Sequence, residues 1–290
     1  MKDSFKTNTK LLGLIGHPIK HTFSPYLHNV GIEMTGVNYV YLPFDVLPAN
    51  LKNAVKGILT LGIAGVSVTI PHKETVIRYL NGLSEEASTI GAVNTVVNDL
   101  GKLKGFNTDA EGVYATLQPF KSQITGAEVS VIGAGGASRS VIYTLIRHFQ
   151  PKKINLINRT EQRAEVVKEH FAAKMRYDAF QVIELFPPDL VNVFRNSSLI
   201  VNATAIGMFP DNDDSITTLS KSFSKDQIVF DLVYNPPKTK LMQIAESEGA
   251  KTVDGLTMLI HQAIKSFELW TGKTLEFEKL YRALISVITT

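Results

Sequence analysis

Two short runs carry residue types that could do proton chemistry: Ser67-Val-Thr-Ile-Pro-His-Lys73 ends in a lysine and Gly105-Phe-Asn-Thr-Asp109 in an aspartate. An ammonium partly withdrawn from water loses basicity, so it can give a proton to a developing alkoxide and take it back in the reverse direction. A carboxylate beside it would orient it and help set its protonation. Alone, each residue has a plainer reading, a solvated lysine or a helix-capping aspartate. Together with a candidate phosphate cradle at Gly133-Ala-Gly-Gly-Ala137, they point to hydride transfer coupled to proton transfer.

The cradle, formed by Gly133, Ala134, Gly135, Gly136 and Ala137, has an apolar run (129–132) before it and a helical pattern (Ala137, Val141, Leu145, Phe149) after it. That is the strand–turn–helix context a dinucleotide needs: glycine lets backbone approach a pyrophosphate, and the helix start supplies unpaired N–H groups. The third glycine of the G-x-G-x-x-G pattern is replaced by Ser138. About 25 residues on, where NAD sites usually place an acidic residue, the chain has Asn158-Arg159-Thr160, with Arg163 one turn later. Two guanidiniums can clamp a 2′-phosphate, so NADP is expected rather than NAD. His17, His21, His28 and His72 are rival acid/base candidates without metal-ligand spacing, and they read as loop or packing histidines.

These residues need elements to place them. Residues 11–16, 37–46 and 64–70 read as strands, separated by helices that start at Pro25 and run over 48–61. Residues 73–80 predict a helix after Pro71, and 91–98 with 102–105 flank an Asp99-Leu-Gly101 turn. A second alternation has strands at 129–132, 154–158, 198–203 and 228–233, a helix over 238–248 ended by Gly249, and a helix over 258–272. Alternation of this kind gives an α/β fold with mostly parallel sheets, and the length of 290 residues favours two domains, with boundaries near 110 and 255.

The composition, 44% hydrophobic and 20% charged, is that of an ordinary globular protein. With no cysteine, thiolate catalysis, disulfides and Cys-ligated zinc are excluded. The net charge of +3 is spread along the chain, so no nucleic-acid partner is expected. No apolar run reaches the roughly 18 residues of a membrane span and residues 1–10 lack a signal-peptide core, so the expectation is a cytoplasmic protein, with no membrane partner. The sequence leaves monomer and homodimer both open.

Read together, the runs resemble the shikimate dehydrogenase family, which includes quinate-using members. The matching stretches are Gly16-His-Pro-Ile-Lys-His-Thr-Phe-Ser-Pro25 with His28-Asn29, Val68-Thr-Ile-Pro-His-Lys73, Gly91-Ala-Val-Asn-Thr95 and Gly105-Phe-Asn-Thr-Asp109. They continue with Gly133-Ala-Gly-Gly-Ala137, Asn158-Arg-Thr160, Asn202-Ala-Thr-Ala-Ile-Gly-Met208, Asp231-Leu-Val-Tyr234 and Gly255-Leu-Thr-Met-Leu-Ile-His-Gln-Ala263. The resemblance implies reversible reduction of 3-dehydroshikimate to shikimate by NADPH, in aromatic amino-acid biosynthesis. It implies a substrate domain of residues 1–110 completed by 256–290, and a Rossmann-like NADP domain of residues 111–255. Lys73 would be the proton donor and Asp109 its partner. Thr22, Ser24, Thr69, Asn94, Tyr234 and Gln262 would join them in holding the substrate, whose hydroxyls need groups that both donate and accept. Gly255 and Met258 would face the nicotinamide, Thr204 and Leu232 would lie along the cofactor, and Glu85 is a further cofactor candidate. Three positions depart from the family pattern. Thr22 replaces the usual Ser and narrows the carboxylate end, which bears on shikimate against quinate. Ser67 stands where Asn is usual. His72 replaces a commonly apolar residue and is expected to face solvent.

Overall fold

A computed structural model describes residues 6–20, 22–219 and 221–288. His21 therefore lies outside the described residues. The chain forms two compact units, one running to Thr108 and resuming at Ile260, the other comprising Asp109–Leu259.

The first unit opens with β1 (Lys10–Gly16), α1 (Ser24–Thr35), β2 (Tyr39–Asp45), α2 (Leu51–Thr60) and β3 (Gly65–Val68). It continues with β4 (Gly82–Leu83), α3 (Glu85–Ile90), β5 (Thr95–Asp99) and β6 (Lys102–Phe106). The sheet order is β2-β1-β3-β5-β6-β4, with β1 parallel to both neighbours and β5 antiparallel to both of its own. β3 is buried along its whole length, which is why it reads as an unbroken apolar and small-residue run rather than an alternating one. On one side, Val55 and Ile58 of α2 pack with Val66, Val68 and Val96. In a separate cluster, Leu12 and Leu14 pack with Tyr41 and Trp270. The residues expected to form a helix over 73–80 instead make a 3-10 turn, Thr75–Tyr79. It is boxed in at both ends: Lys73 O accepts from Val93 N at 2.8 Å, and Asn81 N donates to Leu103 O at 2.9 Å.

The second unit contains α4 (Asp109–Leu117), α5 (Lys121–Ile124), β7 (Glu128–Ile132), α6 (Gly136–Thr144), β8 (Lys153–Asn158) and α7 (Glu161–Met175). Next come β9 (Phe180–Glu184), α8 (Pro187–Arg195), β10 (Leu199–Asn202), β11 (Ile228–Asp231), α9 (Lys240–Ser247) and β12 (Lys251–Val253). Its six strands are all parallel, in the order β12-β11-β10-β7-β8-β9. The order reverses at β7. In an open parallel sheet a ligand binds outside the carboxyl ends of the strands at that reversal, here between β7 and β10. Val129, Val131, Leu156 and Val201 are fully buried under α6 residues such as Val141.

α10 (Gly255–Thr271) starts in the second unit and continues into the first, followed by α11 (Phe277–Ile288). Within the first unit, Trp270 Nε1 donates to Val96 O at 2.9 Å, and Tyr26 donates its hydroxyl hydrogen to Ala283 O at 3.0 Å. α10 is thus tied to the amino-terminal sheet and α11 to α1, by hydrogen bonds spanning more than 150 residues of sequence.

Candidate active site

In the first unit, backbone pairing brings the chemistry-bearing segments to the ends of β1, β3 and β5. Thr69 N donates to Ile15 O at 3.0 Å, Val68 N to Asn94 O at 2.7 Å, and Val93 N to Lys73 O at 2.8 Å. Thr69, Lys73 and Asn94 therefore leave adjacent strand ends. Thr22 and Ser24 sit where α1 begins. Ser24 N and the Thr22 hydroxyl hydrogen meet Thr22 Oγ1 and Ser24 Oγ respectively, both at 3.3 Å, a tight local turn at the positive end of the helix.

Asn94 is buried and central. Its Nδ2 donates to Thr108 Oγ1 at 2.8 Å and to Gln262 Oε1 at 3.3 Å, while its Oδ1 accepts from Thr108 N at 2.7 Å and Thr95 Oγ1 at 3.1 Å. Behind it, Ser266 Oγ lies 2.7 Å from Thr95 Oγ1 and 2.9 Å from Thr108 Oγ1, and donates to Gln262 O at 2.9 Å. Each net bond of this kind adds about 1 kcal/mol, but a buried group left unpaired costs roughly 1–3 kcal/mol, so the cluster holds one arrangement. Asp109, buried, follows Thr108 directly as the first residue of α4. Lys73 is half-buried.

His72 departs from expectation. Its side chain is 1% exposed instead of facing solvent, because Nε2 has an acceptor 2.6 Å away in Val46 O. His28 is a packing histidine, stacked on Tyr41 at 4.4 Å and edge-on to Trp270 at 5.1 Å. Burial pulls its pKa down to about 3. His17 Nδ1 lies 2.7 Å from Asp45 Oδ1 in a half-exposed pair. Glu85 is exposed in the first turn of α3.

In the second unit the site is made of backbone. Gly133 has φ +112, and a Cβ there would stand 3.1 Å from Ala203 O and 3.2 Å from Thr204 Cγ2. Only glycine lets the turn after β7 pass so close to the turn after β10. A Cβ at Gly135 would meet nothing within 4 Å, and Gly135 caps α6 with no side-chain hydrogen bond. Ala134 is buried, and Gly136 and Ala137 are half-buried in the first turn of α6. An open glycine face at a helix start left without a side-chain cap fits a pyrophosphate. Ser138, at the third glycine position, is fully buried and donates to Gly135 O at 2.8 Å, so a small hydroxyl residue takes the close-packing role.

At the end of β8, Asn158 Nδ2 donates to Thr160 O at 2.8 Å, and Arg163 N donates to the same carbonyl at 3.1 Å. The two hydrogen bonds accepted by that one carbonyl fix the turn, with Arg159, Thr160 and Arg163 exposed at the start of α7. Gly255, Met258 and Leu232 come together: a Cβ on Gly255 would stand 2.4 Å from Leu232 O, and Met258 is buried. Tyr234, half-buried, follows on the same loop as Leu232.

Sequence reasoning missed the residues that anchor these loops. Asn202 Nδ2 donates to Asp231 Oδ1 at 2.9 Å and to Ile206 O at 3.2 Å, while its Oδ1 accepts from Thr204 N at 3.0 Å and Thr204 Oγ1 at 2.7 Å. Asp231 also accepts from Thr239 Oγ1 at 2.7 Å and Val233 N at 3.0 Å. Burial pushes its carboxyl up to about 6 against the opposing pull of those hydrogen bonds. The available signal was position: Asn202 and Asp231 each head a motif whose later members drew the attention.

Among the described residues no cluster of three or more His, Asp or Glu is arranged to hold a metal, and no helix is long and apolar enough to cross a membrane. Family models match along the chain: the shikimate dehydrogenase substrate binding domain over residues 14–96, shikimate/quinate 5-dehydrogenase over 116–257, and the shikimate 5′-dehydrogenase C-terminal domain over 255–285. The chain is 42% identical over 97% of its length to the shikimate dehydrogenase (NADP(+)) of Methanococcus maripaludis, covering 98% of that protein. It is 40% identical over 96% of its length to the enzyme of the same name from Caldanaerobacter subterraneus, covering 97% of it. A crystal structure of a shikimate dehydrogenase in complex with NADP+ superposes with a TM-score of 0.89 at 38% identity, covering 99% of this chain and 98% of that one. The Listeria monocytogenes shikimate 5-dehydrogenase, in complex with shikimate and NAD, superposes at 0.85 with 34% identity, covering 98% and 99%. Both of the Methanococcus and Caldanaerobacter relatives are named for shikimate and NADP(+), not for quinate or NAD. A Rossmann-type sheet with strand order reversing at a glycine turn, an amide-and-hydroxyl cluster beside a lysine, and matches spanning nearly every residue place this chain in the shikimate dehydrogenase family.

Proposed function

We propose that this chain reduces 3-dehydroshikimate reversibly to shikimate with NADPH. The observation that carries the reading is the bonded set at the ends of β1, β3 and β5, where the Lys73 carbonyl accepts from Val93 N, next in the chain to Asn94, which in turn donates to Gln262. NADPH supplies the hydride. Lys73 gives the proton to the ring carbonyl oxygen as that oxygen gains charge, and takes it back in the oxidative direction. Asp109 is its partner. Thr22 and Ser24, at the positive end of α1, hold the substrate carboxylate. Thr69, Asn94, Tyr234 and Gln262, with Lys73 and Asp109, hold its hydroxyls. On this reading residues 1–110 with 256–290 are the substrate domain and 111–255 the NADP domain.

For the cofactor, the turn Gly133–Ala137 and the start of α6 take the pyrophosphate, and Arg159 with Arg163 take the 2′-phosphate, supported by Asn158 and Thr160. Thr204, Leu232, Gly255 and Met258 line the nicotinamide half. Glu85, exposed on α3, is the weakest member of the set. Steady-state kinetics of Lys73→Ala test the chemistry: kcat falls about a hundredfold to ten-thousandfold while shikimate affinity stays within about tenfold, the signature of a group acting in the transition state. Loss of affinity at unchanged kcat would reduce Lys73 to a clamp.

A further inference from the structure

His72 takes no part in the chemistry above, yet it is one of the most enclosed polar side chains of the first unit, at 1% exposure. Its Nε2 lies 2.6 Å from Val46 O. A carbonyl oxygen can only accept, so Nε2 carries hydrogen and donates. Val46 N in turn donates to Gly16 O at 2.8 Å, so the imidazole is attached where the ends of β1 and β2 meet. Its backbone is held as well: His72 N donates to Thr69 O and His72 O accepts from Val76 N, both at 2.9 Å. The two residues before it, Ile70 and Pro71, are exposed and have no side-chain hydrogen-bonding group.

Lys73 therefore follows a residue fixed through its side chain, its N–H and its carbonyl, and its own carbonyl is fixed by Val93 N. A proton donor is effective only when held close to its productive position, and a lysine side chain has four rotatable bonds to squander that placement. We propose that His72 is a positioning residue for Lys73, anchoring the base of the lysine to the carbonyl of Val46 so that the ammonium meets the substrate from a fixed origin. The proposal rests on the reading of Lys73 as the proton donor.

Steady-state oxidation of shikimate by NADP+ in the full chain tests it. His72→Leu keeps the bulk and removes the donor: kcat is expected to fall about tenfold to a hundredfold, with KM for shikimate and NADP+ within about threefold. His72→Gln places an amide N–H at nearly the reach of Nε2 and should restore kcat to within about threefold of the parent, whereas the shorter His72→Asn should not. Thermal unfolding of the same samples separates misfolding from misplacement, and if His72→Leu does not fold, the contrast between Gln and Asn decides alone. A folded His72→Leu with parental kcat, or Gln and Asn variants equally slow or equally fast, would overturn the proposal. A Lys73→Ala variant with parental kcat would instead sink the proton-donor reading itself, and the role of His72 with it.

Discussion

The two candidate binding regions are built from opposite materials. In the first unit, backbone pairing brings the segments together, but the polar cluster itself is made of side chains: Asn94, Thr95, Thr108, Gln262 and Ser266 hold one another through amides and hydroxyls. In the second, the surface offered to a ligand is main chain, the glycine turn after β7 and the start of α6, with Asn202 and Asp231 bracing the neighbouring loops from behind. A ring bearing several hydroxyls must be told from its relatives by paired donors and acceptors, each of which rejects a wrong partner by leaving a buried group unpaired. A pyrophosphate is the same in every dinucleotide, so on the proposed reading N–H groups and a helix dipole suffice for it, and discrimination between cofactors falls to Arg159 and Arg163 at the next strand end.

That contrast can be broken at four places. The largest effect is expected at Gly133, whose φ of +112 strains a branched residue and where a Cβ would crowd Ala203 O at 3.1 Å and Thr204 Cγ2 at 3.2 Å. Gly133→Val should weaken NADP+ binding by more than about a hundredfold while shikimate binding, measured by calorimetry, stays within about threefold. Next is Asn94→Ala, which strips the hub of the amide cluster; given roughly 1–3 kcal/mol per unpaired buried group, KM for shikimate should rise about tenfold to a hundredfold, with NADP+ affinity little changed. If Asn94→Ala weakens both ligands equally, the division of labour is wrong. Arg159→Ala comes third: loss of a charge-assisted contact should raise KM for NADPH about tenfold and leave that for NADH unchanged. Equal effects on the two cofactors would refute the phosphate clamp.

The smallest effect concerns stability. His28 titrates near 3 in the folded chain against 6.5 when unfolded, so between those values the unfolded state binds more protons. Stability contributed by His28 is fully present above pH 6.5 and is lost as pH falls toward 3, at up to about 1.4 kcal/mol per pH unit. His28→Phe, which keeps the stack on Tyr41, should flatten that acid slope in chemical denaturation from pH 6.5 to pH 4 without altering activity at neutral pH. An unchanged slope would assign the acid loss to other groups.

Much of this was legible in the sequence, and the reasons differ by region. β1, β7, β8, β10 and β11 pair only in parallel and β3 is buried throughout, so all six read as mainly apolar runs, and the glycine turn stands between a strand and a helix as dinucleotide sites require. β9 and β12 escaped notice because each is a short strand at a sheet edge with half-exposed residues that lack a one-sided pattern. α11 falls in the stretch 256–290 that the family resemblance implies is helical, and Phe277, Leu280, Tyr281, Leu284, Ile285 and Ile288 recur at helical spacing along it, a signal that the reading of the residues alone did not use. A helix over 73–80 is expected from the position after Pro71, although Thr75, Val76, Ile77 and Tyr79 are weak helix formers; the flanking bonds to Val93 and Leu103 come from partners that local sequence does not reveal. The burial of His72 was illegible for the same reason, its partner Val46 being 26 residues away. Lys73 and Asp109 stand out by residue type in their runs, and Thr69, Asn94 and Gln262 rest on motif resemblance. Ser266, bonded to Thr95 and Thr108, instead lies outside every matching stretch, and Asp231, bonded to Thr239, is only the first residue of its own.

The central claim is that this chain turns over shikimate with NADP+. Purified protein mixed with shikimate and either NADP+ or NAD+, followed by the absorbance of the reduced nicotinamide, should show turnover with a kcat/KM at least tenfold higher for NADP+, on the order of the roughly 1.4 kcal/mol that one charge-assisted phosphate contact supplies. Binding of both shikimate and NADP+ by calorimetry without any reduced cofactor forming would contradict it.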